Sequence, residues 1–369
     1  MISRRQFLGP AVVLAACGRR RATGFPGFAF VANQGERSVA AVNLTRFRVT
    51  KQIRLDGAPS ALTAHPARRR LYVLVPQKGT ICEINPATMS VERKLSLGGV
   101  ATGMRLSPDS RVLWVLTRSP NALVSVPLDK FAAAARIRLP GAPEDFDLSS
   151  RGDLAAVTIP DAAAAVFIDM EKAAVERVVP AGGDPRLIRF RFDGRQVLVA
   201  NRGERQLTIL DVPEGRTLVK LPLPVEPAHF CFKSDGGQLF VTGKGMDAVV
   251  VVHPYQTEVS ETRLAGKAPG AMGISSDYLF IANPESGDVT ILEIATRNVV
   301  AGVMVGQEPS YVAITPDDQY ALVVNHRSGD LAVIRIGAIG QRQRQSKNAP
   351  LFTMIPVGSE PVCAEVQAV

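Results

Sequence analysis

The stretch EPSYVAITPDDQYALVVNHRSGDLAVIRI, Glu308 to Ile336, decides the fold. It predicts a short strand over Tyr311–Ile314, a turn at Pro316-Asp317-Asp318, a second strand over Tyr320–Val324, a loop, and a third strand over Leu331–Ile336. Aliphatic and β-branched residues run there in short alternating or continuous sets between turn-forming residues, which favours strands. The phrase recurs along the chain. Its second strand returns as FAFVAN at Phe28, LYVLVP at Leu71, VLWVLT at Val112, LAAVTI at Leu154, VLVANR at Val197, LFVTGK at Leu239, LFIANP at Leu279 and ALVVNH at Ala321. A period of about 42 residues with four strands per unit belongs to the blades of a propeller.

The two ends of the chain complete the count. The first unit opens at its second strand, and the last connector, ending at Pro361, is followed by one strand only, VCAEVQAV. If that strand pairs into the N-terminal unit, the ring closes and no repeat exposes an unpaired edge. The expectation is an all-β, eight-bladed β-propeller over residues 28–369, with seven blades as the alternative that discards a unit.

These residues resemble the YVTN-type β-propeller repeat. The resemblance rests on Pro309, Asp317 and VVN, on VLVAN with LTILD (Leu207–Asp211), and on FIAN with VTILEIATR (Val289–Arg297). It covers Phe28 to Val369 and implies the fold. The superfamily includes lactonases, haem d1-type domains and quinoprotein-like folds as well as binding proteins, so the resemblance fixes no activity.

Residues 1–17 read as a targeting segment. Ser3-Arg4-Arg5-Gln6-Phe7-Leu8 resembles the twin-arginine export motif, and Leu14-Ala15-Ala16-Cys17 resembles a bacterial lipobox whose cysteine is lipidated. Residues 18–27 would then tether the propeller. The expected location is the periplasm or cell surface, anchored to a membrane through Cys17. No run of about 20 apolar residues suggests a spanning helix. The formal charge of +9 is dispersed, so nucleic acid is not an expected partner. An envelope protein or a glycan is, with the chain a monomer.

Motifs for chemistry are missing. Cys82, Cys231 and Cys363 fall in different units without metal or redox spacing, and His65, His229, His253 and His326 are scattered. No catalytic residue, metal site or cofactor is assigned from sequence. The first strands are more informative. Aligned on their connectors, they carry two apolar rows and two alternate rows that would face the axis. Where the YVTN pattern has small residues, this chain places Asp145, His229 and Tyr311 in one row, and Arg105, Asp147, Arg189 and Glu365 in the other, with Glu144 and Arg186 at the mouth. Two readings stay open. Asp147, Glu365, Arg105 and Arg189 pair across the channel and fasten the ring, or the arginines receive an anionic group with His229 and Tyr311 as hydrogen-bonding contacts. The expected function is an exported, lipid-anchored binding or scaffolding module. The alternative is a channel site for a cofactor or small molecule, haem d1-like or lactonase-like.

Overall fold

The computed structural model describes residues 24–340 and 350–368. The export and lipidation motifs, with Cys17 and most of the tether, lie outside the described residues. So does most of the polar insertion at 337–349.

Eight four-stranded antiparallel sheets form a ring of blades. In the quoted unit the three strands run over Pro309–Ile314, Tyr320–Asn325 and Asp330–Arg335, and Leu351–Pro356 adds the outermost. Every innermost strand touches the innermost strand of the next blade, so the ring is closed. Closure uses the last strand, as the sequence expects. Pro361–Ala368 pairs antiparallel with Gly27–Asn33, from Gly27 opposite Ala368 to Asn33 opposite Pro361. Blade 1 therefore holds the C-terminal strand inside three N-terminal ones, and blades 2 to 8 follow in chain order.

The core is a set of wedges between blades. Second and third strands are buried on both faces, as in Leu71–Val75 and Ala248–His253, which explains their unbroken apolar runs. Tyr320, Leu322 and Val333 of blade 8, for example, pack against Ala29, Val31 and Val42 of blade 1. The outermost strands alternate instead, half-buried against exposed, as in Glu258–Leu264.

The asparagine that ends FVAN, LVAN and LVVN has a structural task. Asn33, Asn201 and Asn325 are fully buried and donate from Nδ2 to the carbonyls of Val357, Ala181 and Val305, at 2.7, 2.7 and 3.3 Å, where the preceding blade's outermost strand ends. The motif thereby staples neighbouring blades. It also dictates a glycine in the connector: a Cβ on Gly306 would stand 2.5 Å from Asn325 Nδ2, and one on Gly182 2.8 Å from Asn201 Nδ2.

Connectors and the loops between second and third strands share one face, the connector face. Gln34 N–H donates to Glu360 O (2.9 Å) across it. The turns between first and second strands, those between third and fourth strands, and the two described chain ends lie on the opposite face.

Candidate binding site at the channel and connector face

An innermost strand has an edge that its own sheet leaves unpaired, and the amides on that edge need acceptors. The channel residues supply them from the blade before. Asp145 and Asp147, on the innermost segment of blade 4, accept from the N–H groups of Ile188 (3.1 Å) and Phe190 (2.9 Å) of blade 5. Blade 1 repeats the geometry towards blade 2. There Glu365 Oε1 accepts from Ala64 N–H (3.3 Å), and the Cys363 thiol takes the Leu62 amide. In blades 4 and 1 polar residues of the two axial rows thus cap amides on the inner edge of the next blade.

The two arginines of the arc neutralise the two aspartates. Arg189 pairs with Asp145, and Arg105 stands 3.6 Å from Asp145 and 3.7 Å from Asp147 while donating from Nε to Phe146 O (2.6 Å). The expected foursome is therefore changed in one member and in direction. Asp145, not Glu365, completes it, and the pairs run around the ring through blades 3, 4 and 5 rather than across the channel. A side chain on one innermost strand reaches its neighbour's edge, and blade 1 borders neither blade 3 nor blade 5. No ion pair involves Glu365 among the described residues.

Burial and charge set the protonation states. Burial raises the Asp147 carboxyl even though Arg105 and Arg189 both lower it. Burial raises Glu365 too, with only the Ala64 amide opposing. It pushes the Cys363 thiol up to about 12, helped by Glu365, so this cysteine is no nucleophile. Burial likewise raises the Tyr311 phenol, with Cys363 and Glu365 adding to the effect. Cys82, Cys231 and Cys363 are all free thiols.

The histidines divide cleanly. His65 is buried, with Nδ1 accepting from the Ala67 and Arg68 amides (3.1 and 2.9 Å) and Nε2 donating to Ser110 O (3.0 Å). His253 and His326 contact the carbonyls of Gly237 (3.3 Å) and Pro361 (3.1 Å). His229 makes no hydrogen bond among the described residues. It presents an exposed ring although protein atoms surround it on most sides, the situation of a side chain lining a channel. That enclosure, with Arg202 adding to it, lowers its pKa, so the imidazole is neutral at pH 7. His229 directly follows a β-bulge between Pro227 and His229, and Tyr311 follows the equivalent bulge after Pro309. Bulges re-aim the residue that follows them.

At the mouth, Glu144 takes Arg118 and Arg186 (3.4 Å), and Arg186 also reaches Asp184 at 2.6 Å. Arg118 Nε donates to Pro143 O (2.8 Å). Asp184, Ala268, Glu308 and Glu360 stand immediately before connector prolines with φ of 57°, 55°, 56° and 52°. A left-handed non-glycine residue is held there only by its surroundings, so the connector face is a fixed surface.

The structure thus brings together Arg105, Asp145, Asp147 and Arg189, and joins Arg186 to Glu144. His229, in blade 6, stands apart, while Tyr311 and Glu365 lie in the adjoining blades 8 and 1, close enough for Glu365 to act on the phenol. In blade 7, between His229 and Tyr311 in ring order, the axial rows carry Ala271 and Gly273, and a Cβ on Gly273 would stand 2.7 Å from Val312 Cγ1. Arg202, which is outside the channel rows aligned above, approaches His229 from the blade 5 loop. Its signal was the shared connector face, where the Arg202 amide donates to Asp184 O (3.2 Å). No group of three or more His, Cys, Asp or Glu among the described residues has the geometry to hold a metal ion.

These features define a β-propeller with a polar channel. No family model matches the chain, and no curated protein matches it. Among solved structures it is similar to dihydro-haem d1 dehydrogenase NirN in complex with DHE, with a TM-score of 0.73 at 13% identity over 92% of this chain and 75% of that one. It is also similar to a functionally unknown protein from Desulfotomaculum acetoxidans (TM-score 0.64, 15% identity, 92% of this chain and 98% of that one). A third is Kuenenia stuttgartiensis hydrazine synthase (TM-score 0.60, 18% identity, 75% and 95%). Identities this low show the fold alone.

Proposed function

We propose that the chain is an exported, lipid-anchored binding module of the cell envelope, which engages a protein or glycan partner with its connector face and channel mouth. The observation that carries this reading is the use to which the channel's charges are put. Asp145 and Asp147 are consumed in capping the next blade, and Arg105 and Arg189 in neutralising them. A catalytic base poised near neutral pH would need a free partner and a reacting group within reach. Among the groups left for a ligand at the rim are Arg202 and His229, neither of which has an ion pair among the described residues, while Arg118 and Arg186 are held by Glu144 and Asp184.

The accessible ring of His229, with Arg202 beside it, favours a second reading: a small ligand with hydrogen-bonding groups in the channel mouth. A haem d1-like macrocycle fits less well. Its carboxylates would seek cations, and Arg105 and Arg189 are already paired.

A photoreactive residue placed at Arg202, in cells, tests the first reading, with the same residue at Lys172 on the opposite face as control. Specific adducts at Arg202 and none at Lys172 support it. Adducts at Lys172 alone, or at neither position, would overturn it.

A further inference from the structure

On the face opposite the connectors, most cations sit beside an acid of the same turn. Lys172 pairs with Asp169 (2.7 Å), Lys233 with Asp235 (2.6 Å), Arg191 with Asp193 (2.5 Å), Arg216 with Glu214, and Arg111 with Asp109 (4.0 Å). Blades 1 and 2 break the rule. Their turns carry Arg46, Arg48, Arg68 and Arg69, all exposed, and no ion pair involves any of them among the described residues. Arg70 alone is neutralised, by Glu83 (3.3 Å) and Glu92 (3.2 Å). Four uncompensated arginines on two adjacent blades make one positive patch, whereas the other unpaired cations among the described turns of this face, Lys130, Arg151 and Arg195, stand one to a blade.

Two further features lie within this patch. An apolar cavity of about 260 Å³ opens there, lined by Phe28, Met89, Pro86, Ala87 and Ala368, with Arg69 on its wall. The described chain also begins there. A Cβ on Gly24 would stand 2.7 Å from Thr45 Cα, and Thr45 Oγ1 donates to Phe25 O (3.2 Å), one residue from Arg46. The preceding sequence holds Arg19, Arg20 and Arg21. Unpaired arginines around an apolar recess match the chemistry of a phospholipid interface, with anionic headgroups above hydrocarbon.

We propose that the face formed by the blade 1 and blade 2 turns rests on an anionic lipid surface through Arg46, Arg48, Arg68 and Arg69, orienting the connector face away from the membrane. The geometry stands without the lipid anchor at Cys17, although it gives the anchored reading an orientation. Each arginine near an anionic surface is worth about fivefold in partitioning, so the four together supply on the order of 100- to 1000-fold.

The test is cosedimentation of the full chain, carrying Cys17→Ser so that no acyl chain can be attached. Vesicles are either phosphatidylcholine alone or equal parts phosphatidylcholine and phosphatidylglycerol. The parent is expected to bind the anionic vesicles selectively and to lose that selectivity as salt rises. A variant with Arg46→Gln, Arg48→Gln, Arg68→Gln and Arg69→Gln should lose at least 100-fold. A control with Arg111→Gln, Lys172→Gln, Arg216→Gln and Lys233→Gln, which removes as many cations from the same face, should lose less than tenfold. Equal losses in the two variants, no loss in the first, or parent binding to neutral vesicles as tightly as to anionic ones would each overturn the proposal. The arginines are exposed, so unchanged circular dichroism and thermal midpoint are expected of both variants. These outcomes are independent of the crosslinking at Arg202, which can succeed or fail separately.

Discussion

Asp145→Ala removes the one carboxylate on which three groups of the charged arc converge. The Ile188 amide loses its acceptor at 3.1 Å, Arg189 loses its ion-pair partner, and Arg105 keeps only Asp147 at 3.7 Å. An orphaned buried amide costs about 1–3 kcal/mol. Breaking a buried ion pair by deleting one member costs about 3–5 kcal/mol in a dry site. This channel is partly wet: the side chains of Asp145 and Arg189 retain 19% and 25% of their exposure. Water can then take up part of the freed charge and amide, so the lower ends apply and overlap, giving a net loss of about 3 kcal/mol. Asp145→Asn keeps an acceptor for Ile188 and removes only the charge, and should lose about half as much. Guanidinium unfolding followed by Trp114 fluorescence reads both variants well, because Trp114 packs in the wedge between blades 3 and 4 with Phe146 and Ala155. The midpoints should fall in the order parent, Asp145→Asn, Asp145→Ala at a common slope. An Asp145→Ala midpoint within about 0.5 kcal/mol of the parent would refute the claim that these carboxylates seal the neighbouring blade, and an asparagine variant as weak as the alanine one would assign the effect to charge alone.

Glu365→Gln has the opposite sign. A carboxyl raised in the folded state holds its proton more tightly there than in the unfolded chain, so stability falls as pH climbs from the ordinary carboxylate range through the raised value. Glutamine keeps the acceptor for Ala64 without this penalty. The variant should melt above the parent at pH 7 and converge with it near pH 4, whereas a lower melt at pH 7 would mean that the charge has an unseen partner. Gly306→Ala forces a Cβ to 2.5 Å from Asn325 Nδ2 and 2.8 Å from Ser328 Oγ. It should cost about 1–3 kcal/mol, read as a lower thermal midpoint, and an unchanged midpoint would count against the stapling role of the asparagine. Glu83 is 2% exposed and takes Arg93 through two hydrogen bonds of 3.0 and 2.5 Å, with Arg70 as a second partner. Glu83→Gln should destabilise by about 1–2 kcal/mol in denaturant, since both arginines keep some access to water, and no change would show that the pairs contribute nothing net.

The fold was legible because its signals are local and repeated. Each second strand announces itself by composition, and the missing first strand at one end answers the extra strand at the other. The candidate site was half legible. Alignment of the innermost strands found Asp145, Asp147, Arg105 and Arg189, since charged residues stand out in slots that the resemblance fills with glycine and alanine. Their partners could not be read the same way. Whether a carboxylate meets an arginine or a backbone amide depends on the reach from one blade to the next, and Asp145 and Glu365 look alike in sequence while meeting different groups. Arg202 fell outside those rows for a related reason, because a loop in one blade approaches the innermost strand of another. The asparagine–glycine staple was visible as two separate motif letters, and only the close approach of Asn325 to Gly306 joins them.

Native mass spectrometry of the protein purified from the cells that produce it tests the central claim most directly. A binding module whose channel charges satisfy one another should show the mass of the chain, with no more than the proposed acyl anchor added, and any further mass lost on mild activation. A stoichiometric excess the size of a cofactor, retained in the parent and lost in His229→Ala or Arg105→Ala, would contradict it and place a bound group in the channel.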